Sequence, residues 1–233
     1  MTPSAASTIC SYKLQRVRLP LAMPIGDSQV EFNEHWMTVL ELITRDGQSG
    51  VGFDLQQGKP TPALTQLQAQ FEFDMWPAIN GEHPAGIAHK ISRPRGGNVG
   101  ASTLPLAVET AAWDLTAKLA DLPLYRLLGG KNPRVPAYGS TLDYRLDDEQ
   151  FRRRLTDFKN MGFTGIKTKV GHPDVEWDLR RLAIAREIMG PEAKLMVDAN
   201  EAWSPKEAIR RCQIYLDMGY DLYWVEDPIT RED

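Results

Sequence analysis

The sequence predicts an α+β domain, a three-stranded antiparallel meander with helices, followed by part of a (β/α) barrel of the TIM type. Three observations carry this. Apolar residues recur at strand-like spacing through residues 12–55 in three runs broken by turn-forming stretches, the signature of paired strands. After Pro133, short apolar runs alternate with amphipathic stretches, as in β/α units on a parallel sheet. Two carboxylates, Asp198 and Glu226, end successive strand candidates one β/α unit apart.

The first run holds Leu14, Val17 and Leu19, the second Met37, Val39, Leu40, Leu42 and Ile43, and the third Val51 and Phe53 after a turn at residues 45–50. Between the first two lies 20–33, with two prolines and a glycine. That is longer than a hairpin loop needs, and it is read as a functional flap. Helices are expected at 62–76, 84–91 and 104–119; in the third, Leu106, Val108, Ala111, Ala112, Leu115 and Leu119 recur near helical spacing. A short segment after Leu122-Pro123 stops at Gly129-Gly130. The boundaries that follow are a disordered tail at 1–11, a first domain at 12–132 and a barrel domain at 133–233. In the barrel domain, strands are expected at 135–139, 165–170, 194–199 and 222–226, and helices at 147–161, 174–189 and 205–218. Ser204-Pro205-Lys206-Glu207 makes a helix start in which the Ser and Glu side chains satisfy each other's backbone N–H groups.

The 233 residues, 42% apolar and 25% charged, suit a globular chain. No stretch approaches the roughly 20 apolar residues that span a bilayer, so no membrane partner is expected. Residues 1–10 have neither basic leader nor apolar run, so export is not expected. Cys10 and Cys212 are the only cysteines, which fits a reducing cytoplasm, and neither is expected to carry chemistry. A net charge of −4 gives no field for nucleic acid, and the basic patches at Arg152–Arg154 and His89–Arg95 read as solvated faces.

Lys167 and Lys169 lie two apart in a strand, so both point to one face. Alone, the pair reads as exposed lysines at a sheet edge. In a shared pocket, repulsion between two ammonium groups eases deprotonation of one, which makes a neutral lysine base attainable. From Lys169 to Asp198 is 29 residues and from Asp198 to Glu226 is 28, one β/α unit per step. The C-terminal strand tips of a β/α barrel converge on one face, where such enzymes place their active sites. The lysines, Asp198, Glu226 and Asn200 should therefore meet. Singly, each carboxylate also fits a helix cap or a structural ion pair. Together, without clustered cysteine or histidine, they favour a hard cation, and magnesium keeps positions open for substrate oxygens. His172, just after the second barrel strand, is read as a surface loop residue.

The runs Gly165-Ile166-Lys167-Thr168-Lys169-Val170-Gly171, Met196-Val197-Asp198-Ala199-Asn200 and Trp224-Val225-Glu226-Asp227-Pro228 resemble the second, third and fourth barrel strands of the mandelate racemase/muconate lactonizing enzyme subgroup of the enolase superfamily. Ala112-Trp113-Asp114-Leu115 and the run from Pro123 to Gly130 resemble its approach to the barrel. The resemblance implies an enolase-like N-terminal capping domain, with residues 20–33 closing over the site. It implies Lys169 as the proton-abstracting base, Lys167 beside the substrate carboxylate, Asp198 and Glu226 as Mg2+ ligands, and Asn200 at the substrate. The reaction it implies starts by removing the proton next to a carboxylate, giving a metal-stabilised enolate. The run from Arg18 to Asp27, joined to Lys-Thr-Lys and Asp-Ala-Asn, looks most like acid-sugar dehydratases of the talarate/galactarate type, which yield 2-keto-3-deoxy acids. Racemisation, epimerisation or cycloisomerisation of a hydroxy acid is the alternative, and a catalytically inactive fragment or oligomerising module is a third reading. The family pattern also calls for a third acidic ligand on a fifth strand and a histidine beyond. The expectation is thus a barrel truncated after its fourth strand, inactive by itself, from a parent that forms homo-oligomers.

Overall fold

The computed structural model describes residues 5–57, 62–87, 104–140 and 142–231. These form a three-stranded sheet in the order β1-β2-β3 and a parallel four-stranded sheet in the order β4-β5-β6-β7. The chain divides into two compact units, Met1–Leu21 with Glu34–Arg134 and Ala22–Asn33 with Val135–Asp233.

In the first unit β1 (Ile9–Gly26), β2 (Glu31–Thr44) and β3 (Ser49–Gln57) make the expected meander. The tail expected at 1–11 is in part structured: Ala5–Ser7 form a 3-10 turn and Ile9, which opens β1, is fully buried. Residues 20–33 are not a loop either. β1 runs through both prolines to Gly26, the turn is confined to 27–30, and Asp27 Oδ1 closes it by accepting the N–H groups of Gln29 and Val30. An edge strand tolerates proline because its outward N–H groups need no partner.

The helical stretch expected at 62–76 begins as α1 (Leu64–Gln70), widens into a π turn at Phe71–Met75 and ends as α2 (Trp76–Ile79). Pro77 gives the reason, since its ring clashes with the carbonyl four residues back and it donates no hydrogen bond. Of the helix expected at 84–91, Pro84–Gly86 form a 3-10 turn, and residues 88–91, like the His89–Arg95 patch, lie outside the described residues. α3 (Leu104–Leu119) forms as read, and α4 (Leu124–Leu127) follows. α3 packs on β3 backbone to backbone. A Cβ on Gly52 would stand 1.9 Å from the carbonyl oxygen of Ala107, and one on Gly50 2.3 Å from that of Ala111. β3 therefore turns its glycines to the helix and leaves Val51 and Phe53, the residues that marked it as a strand, on the exposed face.

The second unit alternates β4 (Gly139–Ser140), α5 (Asp148–Asn160), β5 (Gly165–Lys169), α6 (Val175–Met189), β6 (Lys194–Asp198), α7 (Pro205–Asp217) and β7 (Leu222–Glu226). The strand expected at 135–139 shrinks to two residues, because Pro133 and Pro136 cannot donate to a ladder. The helices are capped by Asp147, Asp174 and Ser204, each accepting a backbone N–H of the first turn. The reciprocal box at Ser204 forms only by half, since Glu207 turns instead to Arg210 and Arg211. Strand residues alternate, so Ile166, Leu195 and Val197 enter the core under the helices with Phe151, Leu182 and Tyr215. The other face is left for Lys167, Lys169, Met196 and Asp198. Among the described residues no helix is long and apolar enough to cross a membrane.

Candidate active site

The strand register builds the site directly. β5 and β6 pair Lys167 with Met196 and Lys169 with Asp198, and β6 and β7 pair Asp198 with Glu226. In-register parallel strands put these side chains on one face at one end. The five residues singled out in the sequence meet there. Lys169 Nζ donates to Asp198 Oδ2 at 2.7 Å and to Asn200 Oδ1 at 2.6 Å. Lys167 Nζ bridges Glu226 Oε1 at 2.6 Å and Asp198 Oδ2 at 3.3 Å. Lys169 and Asp198 are buried, whereas Glu226 is half-buried.

These contacts correct one expectation. Burial alone would lower the Lys167 pKa, but its hydrogen bond to Glu226 and the charges of Asp198 and Glu226 outweigh burial and raise it above the ordinary lysine value. With Glu226 and Asp198 at 2.6 and 3.3 Å, Lys167 keeps its charge, and repulsion between the lysines does not neutralise it here. Burial likewise works to raise Asp198, but the Lys169 hydrogen bond and charge, the Asn200 N–H and Lys167 hold its carboxyl below the usual aspartate range.

The tips are held by strained turns. Asn200 and Glu201 both have positive φ (50° and 60°), as does Asp227 (40°), a backbone state that costs energy in residues other than glycine. Asn200 N donates to Asp198 Oδ1, Glu201 N to the carbonyl of Asp227, and Ala199 N to that of Glu226. After β5, Asp178 on α6 accepts the N–H groups of Gly171 and His172 as well as Arg211 and the Tyr215 hydroxyl. His172 stacks on Trp177 at 5.1 Å and its Nδ1 accepts the Asp174 N–H, so it serves the loop, as read. The end of the β1–β2 hairpin belongs to this same unit. Gln29 donates to the backbone oxygen of Asn200, Glu31 pairs with Arg145 at 3.4 Å, and Met23 and Ile25 line a cavity of about 350 Å3 with Lys167, Lys169 and Asp143.

The donor set suits a hard cation. Asp198, Glu226 and Asp227 each bring a carboxylate oxygen within 4.8 Å of the others, and the first two already converge on one positive charge, the Lys167 ammonium. Oxygen-only donors are the chemistry of magnesium and calcium sites. Asp227 was quoted in the sequence only as part of Glu-Asp-Pro; its place beside Glu226 comes from the bend after β7, which no periodicity announces.

Comparison with known proteins gives the family. Residues 9–129 match the mandelate racemase/muconate lactonizing enzyme N-terminal domain, and residues 150–233 match the enolase C-terminal domain-like family. The chain belongs to the mandelate racemase/muconate lactonizing enzyme family. Its relatives in that family catalyse different reactions. A 3,6-anhydro-alpha-L-galactonate cycloisomerase of Streptomyces coelicolor is 38% identical over 94% of this chain and 63% of its own length. An L-talarate/galactarate dehydratase of Salmonella typhimurium is 32% identical over 95% of this chain and 57% of its own. The crystal structure of a racemase from Streptomyces coelicolor with bound magnesium superposes with a TM-score of 0.85 at 28% identity, over 97% of this chain and 64% of that one. The chain thus spans about three fifths of the length of these family members.

Proposed function

We propose that the protein carrying this chain is a Mg2+-dependent enzyme that removes the proton next to a substrate carboxylate, and that it dehydrates an acid sugar to a 2-keto-3-deoxy acid. The observation that carries the reading is the convergence of two lysines and two carboxylates at successive strand tips, with Lys169 Nζ 2.7 Å from Asp198. Lys169 is the base, and its amine must give up its proton before it can take one from the substrate. Lys167 keeps its charge and holds the substrate carboxylate. Asn200, through its side-chain contact with Lys169, orients the amine and contributes a polar group at the substrate. Asp198 and Glu226 hold the metal, with Asp227 beside them. Magnesium bound there supplies positive charge that offsets the negative charge developing on the substrate carboxylate. In the dehydration the α-proton passes to Lys169, the Lys169 ammonium returns a proton to the β-hydroxyl as its C–O bond breaks so that it departs as water, and the remaining enol tautomerises to the keto acid. The hairpin end, through Met23 and Ile25, closes one wall and excludes water.

The relatedness to an L-talarate/galactarate dehydratase supports dehydration, and that to a cycloisomerase at 38% identity supports ring opening or closure from the same enolate chemistry. Incubating the protein and magnesium with a panel of mono- and diacid sugars distinguishes them. Keto acid released with loss of water is expected. Isomers or α-proton exchange without loss of water would replace the dehydratase reading with the isomerase one.

A further inference from the structure

We propose that Asp143 is a positioning residue for Lys169, clamping the strand that carries the amine; this rests on the reading of Lys169 as the base. The β4–β5 ladder has only two pairs, Gly139 with Ile166 and Ser140 with Lys167, whereas β5 pairs with β6 through to Lys169 and Asp198. On the β4 side the ladder stops short of Lys169. Asp143 takes over there. Its Oδ1 accepts the Lys169 backbone N–H at 3.1 Å, and its Oδ2 accepts the Thr168 hydroxyl at 3.0 Å. Thr168 faces the helices and Lys169 the site, so one carboxylate grips the strand at its edge and on its far face, fixing the direction in which the Lys169 side chain leaves it.

Asp143 is itself held rigidly. Its carbonyl oxygen accepts Arg181 Nη2 at 2.6 Å while Arg181 Nη1 donates to Leu146 O at 3.0 Å. The guanidinium is fully buried and lies 3.6 Å over the Phe151 ring. Gly26, the last residue of β1, bridges to Asp143 and donates its N–H to Leu142 O at 3.2 Å. Asp143 therefore ties the hairpin end, the segment after β4 and the base-bearing strand together at the wall of the cavity that Lys167 and Lys169 line. A misplacement of about 1 Å at a reacting group costs about a hundredfold in rate, so this clamp acts on the rate and leaves substrate binding alone.

The test compares Asp143→Ala with Asp143→Asn, whose oxygen still accepts the Lys169 N–H and whose amide can donate to Thr168 Oγ1. Two readouts are taken on the folded fraction: hydrogen exchange of the Lys169 amide, and kcat and KM for α-proton removal with magnesium. For Asp143→Ala the expected results are Lys169 amide exchange about tenfold faster or more, kcat lower by about ten- to a hundredfold and KM within about twofold, with Asp143→Asn recovering most of both. Should the Ala variant not fold, Asp143→Glu, which keeps both acceptors but moves them by one methylene, carries the same expectation. An unchanged Lys169 amide, or a lower melting temperature with unchanged kcat per folded molecule, overturns the clamp. Wild-type protein that removes no α-proton would refute the role of Lys169 as base, and the amide exchange would still decide whether Asp143 holds that strand.

Discussion

A single carboxylate, Asp198, concentrates the electrostatics of the site, because it faces both lysines and is nearly inaccessible. Its pKa is depressed in the folded chain: burial opposes the shift, and the Lys169 contact prevails. A group depressed on folding adds stability that is complete above its unfolded value, about pH 4, and is lost as the pH falls through the folded value. In metal-free buffer, the stability difference between wild type and Asp198→Asn, measured by urea unfolding, should be flat between about pH 5 and 8 and shrink below about pH 4. A difference that grew on acidification would contradict the Lys169–Asp198 pairing. At this scale the sequence was legible where periodicity governs. Period two puts Lys167 and Lys169 on one face, and unit spacing brings Asp198 and Glu226 to them. It was silent where contacts cross units. Nothing in the spacing places Asp143 against the Lys169 N–H, or reveals that two carboxylates keep Lys167 charged.

Elements show the same division between pattern and contact. α3 and β7 form with the bounds read from the sequence, and β5, β6 and the three barrel-unit helices within a residue or two, because apolar spacing, Asp or Ser caps and Gly stops all agree. β3 was recognised through the wrong face. Where it meets α3 its buried side is Gly50 and Gly52, a choice dictated by how closely α3 approaches, and no hydrophobic pattern encodes that distance. Gly52→Ala should therefore destabilise the first unit by about 1–3 kcal/mol through overpacking against Ala107. The same change at Gly47, where a Cβ would meet nothing and the cost is only the positive φ, should act through backbone strain alone. Thermal unfolding of the two variants separates the mechanisms, and equal sensitivity to larger side chains such as Val at both positions would argue against the close helix approach. The strand read at 135–139 and the loop read at 20–33 both turn on proline, since Pro136, ahead of β4, cannot donate to a ladder, whereas Pro20 and Pro24 are tolerated in the edge strand β1.

The chain comprises a meander unit and a β/α unit whose strand tips bring the lysines and carboxylates together, and the end of the β1–β2 hairpin belongs to the second unit. The chain's stability should respond to magnesium, because an ion that binds only the folded state raises the unfolding free energy by about 2.7 kcal/mol at a hundred times its Kd. The rise in melting temperature should disappear in Glu226→Gln and persist in Gly47→Ala; persistence in Glu226→Gln would move the metal elsewhere. The order of the β/α units was legible because each repeats a local pattern, whereas the reaction is not written in any one motif, since relatives similar in sequence to this chain catalyse different reactions. In the proposed reaction Lys169 removes a proton next to a carboxylate. The direct measurement is solvent deuterium incorporation at that carbon, followed by proton NMR with magnesium and an accepted acid-sugar substrate, for wild type and Lys169→Ala. Incorporation by wild type and a loss of about a hundredfold or more in Lys169→Ala, the scale of positioned general base catalysis, is the predicted result. Undiminished incorporation by Lys169→Ala would contradict it.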